Sequence, residues 1–141
     1  MGLFSKVFGQ SQEYPDLARD SAAARQLAAV SSDLEKLARD VKDPMEVVPS
    51  DKGAYVFIGK PPKKFGIAWI EGDQIKSFKT LMEEQGLSAQ QVAKLSDALR
   101  DIYLRHQDAN HYRTTIANRD VIITPSKPLE NEVREVLTNL N

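Results

Sequence analysis

His106 and His111 are the residues of this chain most able to do chemistry at neutral pH. They lie five positions apart, with Asp108 between them and Arg105 and Arg113 on either side. Imidazole is the one side chain that ordinarily titrates near neutrality, and it also binds metals. A metal centre needs a third and usually a fourth ligand. Asp108 is the sole nearby candidate and two arginines oppose a cation, so no metal site is expected. The alternative is convergence of Arg105, His106, His111 and Arg113 on a small ligand or phosphate, a task suited to forked guanidinium donors.

A second chemical feature is a run of lysines. Lys60, Lys63 and Lys64 surround Pro61 and Pro62, and residues 51–66 hold four lysines against one aspartate. A basic hairpin tip of this kind is able to contact phosphates of nucleic acid. No aromatic RNA-binding motif accompanies it and the whole chain carries a formal charge of −1, so the expected role is a solvated loop, with proline and lysine discouraging strand pairing.

Other chemistries find no motif. There is no cysteine, which removes disulfides, thiol nucleophiles, iron–sulfur clusters and thiolate zinc sites together. No glycine-rich phosphate loop, dinucleotide fingerprint, nucleophile elbow or metalloprotease histidine pair is present. No catalytic residue and no cofactor is assigned, and the balance leans against an enzyme.

The elements that must hold these residues are written in apolar periodicity. Ala23, Leu27, Val30, Leu34, Leu37 and Val41 share a helical beat. So do Val92, Leu95, Leu99, Ile102 and His106, and again Leu129, Val133, Val136 and Leu140. Such spacing lines one side of a helix and demands burial. Pro15 and Pro44 bracket a long first helix over 15–43. The segment 45–53, with Pro49 and Gly53, reads as a connector. Residues 54–58 and 65–70 are continuous apolar strands, covered on both faces. Asp73 is placed as the N-cap of a helix that ends at Gly86, and Ser88 with Gln91 forms a capping box for the next. A more polar hairpin spans 111–117 and 120–124.

The order is therefore α-β-β-α-α-β-β-α. The expected fold is α+β: an antiparallel four-stranded sheet built from two hairpins, with helices covering it. At 141 residues the chain has the size of one domain. A flexible arm over 1–14 precedes a single domain over 15–141, in which the helix at 15–43 leads to sheet and helices over 54–141. No apolar run is long enough to cross a bilayer and no secretory leader is evident, so a cytoplasmic location without integral membrane contact is expected. With surplus stripe on the first helix, the leading functional expectation is a non-enzymatic interaction or regulatory module. It would pair with a protein partner or itself, most simply as a homodimer, through Leu27, Leu34 and Leu37.

Overall fold

The computed structural model describes residues 14–139. Helices α1 (Ala22–Ala29) and α2 (Ser31–Asp40) come first. Strands β1 (Met45–Ser50), β2 (Gly53–Lys60), β3 (Lys64–Glu71) and β4 (Gln74–Ser77) follow, then helices α3 (Phe78–Gln85) and α4 (Ala89–Arg105). Strands β5 (Tyr112–Ile116) and β6 (Arg119–Ile123) precede a last helix, α5 (Lys127–Thr138). The class is α+β as expected, but the sheet is not the four-stranded antiparallel one. It has six strands in the order β4-β3-β2-β1-β6-β5, and β1 runs parallel to β6.

Two strands account for the difference. The first is β1, where a connector was expected because of Pro49. Gly59 N–H donates to the Pro44 carbonyl, so antiparallel bonding with β2 alternates from there and Pro49, opposite Ala54, falls at a non-bonded position. Its missing N–H would point to the β6 side, and pairing with β6 stops at Val47↔Ile123. The proline thus removes no ladder bond. The second is β4, where a helix was expected from Asp73. Glu71 pairs with Gln74 across the two-residue loop of Gly72 and Asp73. Gly72 takes φ 63°, the positive angle that the first loop position of such a hairpin requires. The helix starts only after Ser77, which forms a capping box with Thr80.

The helix expected over 15–43 is two helices that start at Ser21, whose side chain caps the Ala24 N–H. They meet at Val30, which leaves helical angles at φ −122° and ψ 25°. A straight helix of that span would be roughly 40 Å long, whereas strands of this size reach only about 20–27 Å. The break lets each short helix lay its own stripe on the sheet. Arg119 closes the end of α2, donating to the carbonyl of Ala38, which the last turn leaves without a helical partner, and to those of Val41 and Asp43 just beyond it.

The sheet is the middle of three layers. Leu27, Leu34 and Leu37 pack with Val47, Val56 and Ile123 on one face. Leu95, Leu99, Ile102, Leu129 and Val133 pack with Val48, Phe57 and Trp69 on the other. All six residues of β1 are buried, so both faces of the sheet are covered at its centre. Among the described residues no helix is long and apolar enough to cross a membrane. Apart from Tyr14, the arm expected over 1–14 lies outside the described residues.

Candidate ligand-binding cleft

Glu46 places a carboxylate in the middle strand of this buried sheet. Alternation along β1 sends Met45 and Val47 to the α1–α2 face and Glu46 with Val48 to the face covered by α4 and α5. The residue is only 7% exposed, and burying a carboxylate is costly unless donors reach it. Two hydroxyls do. Tyr103 Oη donates to Oε1 at 2.7 Å and Thr124 Oγ1 donates to Oε2 at 2.6 Å. Burial pushes the Tyr103 phenol well above its usual range, and the adjoining carboxylate adds to that. Tyr103 therefore stays protonated and remains a donor.

His111 extends the chain of bonds. Its Nδ1 lies 2.8 Å from Thr124 Oγ1 and 3.6 Å from Glu46 Oε2. Thr124 has one hydroxyl proton, and that proton is directed to Glu46. Its oxygen must then accept from His111 Nδ1–H. This fixes the tautomer of the neutral ring and leaves Nε2 with a lone pair, and no described residue hydrogen-bonds that nitrogen. The Tyr14 ring packs against the imidazole at a centroid distance of 5.0 Å.

Tyr14, Glu46, Tyr103 and His111 line a cleft of about 270 Å³, completed by His106, Gln107, Ile122 and Leu129, with Thr124 buried behind it. Tyr14 is held there by a strap along the outer edge of β5. Arg113 N–H donates to the Pro15 carbonyl, and Leu17 N–H donates to that of Arg113. The chain matches no known protein-family model, and no curated protein or solved structure is significantly similar to it. The cleft must be interpreted from its own chemistry.

Of the four residues expected to converge, the structure brings the histidines to one cleft and turns the arginines elsewhere. Arg105 and His106 both bind the carboxylate of Glu132 on α5. Arg105 first and His106 second hold that carboxyl below its usual range. Arg113 is engaged by Asp16 at 2.7 Å. No group of histidines and carboxylates among the described residues could hold a metal ion.

Lys60, Lys63 and Lys64 sit at the β2–β3 tip, where Lys60 and Lys64 are directly opposite. The tip is tied to α4 by Arg100, whose Nε donates to the Pro62 carbonyl and whose guanidinium lies 5.8 Å from the Phe65 ring centre. Leu27, Leu34 and Leu37 are buried against the sheet of their own chain. A second cleft of about 230 Å³ lies between α1, α2 and β5 beside Leu17, Leu34 and Ile116. It is comparable in size but lacks a buried titratable group, and the buried carboxylate of Glu46 singles out the cleft at His111.

Glu46, Tyr103, Thr124 and Tyr14 are the site residues that sequence reasoning missed. Glu46 carried the one available signal, a lone carboxylate in the apolar run Met45-Glu46-Val47-Val48.

Proposed function

We propose that this protein is a small-ligand-binding domain whose site is the cleft at His111. The carrying observation is the relay from Glu46 through Thr124 to His111, which ends at a cleft in an imidazole nitrogen that no other described residue hydrogen-bonds. A hydrogen-bonded network anchored on the buried Glu46 and Thr124 holds its members in one geometry, and fixed polar groups in a concave site are how small-molecule sites achieve orientation. The lining here is mostly polar, and Ile122, Leu129 and the two tyrosine rings supply its apolar part. An engineered cavity of about 150 Å³ accommodates benzene, so the space suits a ligand of roughly six to ten heavy atoms. Binding, rather than turnover, is the proposed role. Self-association through the first stripe draws no support from the packing, because that stripe is covered within its own chain.

The test is a screen of small polar fragments against the isotopically labelled full chain, followed by chemical-shift perturbation. Fragments that bind should move the amides of Tyr103, His111 and Thr124 together. A screen whose hits cluster elsewhere, or that yields no saturable hit, would overturn the proposal.

A further inference from the structure

We infer that the cleft takes a compact organic cation, a small primary amine, and not a phosphate or other anion. The inference rests on the cleft being a binding site and adds the charge class of its ligand.

The carboxylate of Glu46 is buried, and its hydrogen bonds come from two uncharged hydroxyls. No described lysine or arginine lies within ion-pairing distance of it; its one titratable cationic neighbour is His111. A buried carboxylate solvated by dipoles alone still projects its negative charge into the low-dielectric space beside it. Two things can balance that charge: a proton on His111 or a cation in the cleft.

The groups that would welcome an anion point away. The guanidinium of Arg105, at the end of α4, is held by Glu132, and that of Arg113 on β5 is held by Asp16 at the strap. His106, beside the cleft on the α4 side, shares the same Glu132 carboxylate on α5. Asp108 is exposed on the loop leading to His111. Among the described residues, the fixed charges around the imidazole are therefore carboxylates, or arginines already matched by carboxylates. The remaining lining chemistry is equally suited to a cation. The neutral His111 ring offers a lone pair at Nε2 to an N–H donor, and the Tyr14 and Tyr103 rings offer π faces that attract an ammonium.

Proton and amine then compete. A protonated ring has no lone pair at Nε2 and already balances Glu46, so a proton taken up by His111 on acidification should weaken amine binding. An anion would show the opposite trend.

The experiment uses three probes of one shape on the full chain, followed by chemical shifts at His111, Tyr103 and Thr124. They are benzylamine, benzyl alcohol and benzoate, with inorganic phosphate as a fourth ligand. At about pH 8 benzylamine should bind roughly tenfold or more tightly than the others, and its affinity should fall on acidification. In Glu46→Gln, which keeps the size of the side chain and removes its charge, the preference of amine over alcohol should disappear. Should that variant fail to fold, the pH trend in the native chain decides alone. Benzoate or phosphate binding more tightly at these residues, or amine affinity that rises on acidification, would overturn the charge class and leave the cleft standing. Silence from all four probes would overturn the charge class too, and the fragment screen would then decide separately whether the cleft binds ligands.

Discussion

Replacing Thr124 with valine removes a single hydroxyl from the centre of the site and leaves the shape of the side chain nearly unchanged. Thr124 is fully buried, so water cannot substitute for what is lost. The donated bond to the Glu46 carboxylate is of the charged type, worth about 1.5–3 kcal/mol, and the bond accepted from His111 adds about 1 kcal/mol. Part of this returns if the imidazole closes its 3.6 Å separation from Glu46 Oε2 and bonds it directly. The expected net loss for Thr124→Val is about 2–3 kcal/mol. Urea denaturation at neutral pH, followed by fluorescence of the buried Trp69, measures it. Thr124→Ser is the control. It keeps the hydroxyl and loses one methyl group, a transfer term of about 1 kcal/mol. A valine variant within about 0.5 kcal/mol of the native chain, or one no worse than the serine variant, would show that the hydroxyl does not bridge Glu46 and His111.

Three further outcomes follow from the packing and the ion pairs. Leu99 is fully buried between α4 and the sheet, so Leu99→Ala should cost about 2–5 kcal/mol in the same denaturation assay. Arg119→Met strips donors from the carbonyls of Ala38, Val41 and Asp43; a loss of about 2 kcal/mol is expected, with faster amide exchange in the last turn of α2. Glu132 has its folded carboxyl lowered by Arg105 and then His106. Its contribution to stability is therefore present above the ordinary glutamate range and is lost as pH falls through the lowered folded value. A carbon-detected titration should place its midpoint below that of an ordinary glutamate, and Arg105→Ala should move it back up.

Local signals in the sequence were accurate where the structure is local. Gly86 ends α3 in the left-handed region at φ 70°, and Ser88 and Gln91 form the capping box of α4. The stripes place Leu95, Leu99, Ile102, Leu129 and Val133 in the core, and the apolar runs at 54–58 and 65–70 are paired strands. What failed was set by distant partners. Pro49 is compatible with a central strand only because β6 stops short of it, which no window around residue 49 reveals. The break at Val30 has no glycine or proline to announce it. Gly72-Asp73 between Ile70 and Ile75 is a hairpin signal that the apolar spacing of Ile75, Phe78, Leu81 and Met82 overrode. The site was hidden for the same reason. Both histidines were legible as reactive residues, but Glu46 meets Tyr103 across 57 positions and Thr124 across 78. The two arginines found carboxylates of their own at Asp16 and Glu132, which spacing alone does not foresee.

The parallel pairing of β1 with β6 is only two residue pairs long, Glu46↔Ile122 and Val47↔Ile123, whereas β2 and β3 pair over eight. Mechanically this makes the middle of the sheet a seam between a four-stranded block and the β5–β6 hairpin. Partial unfolding travels along lines of low contact, so the hairpin is the natural unit to peel away, and its amides should exchange with solvent sooner than those of β2 and β3. The bond from Thr124 to Glu46 crosses that seam just past its last residue pair, and His111 stands on the hairpin side of it. A molecule gripped by both sides would act as a rivet: it would slow exchange throughout β5 and β6, far beyond the residues it touches, and report its own occupancy to the edge of the sheet.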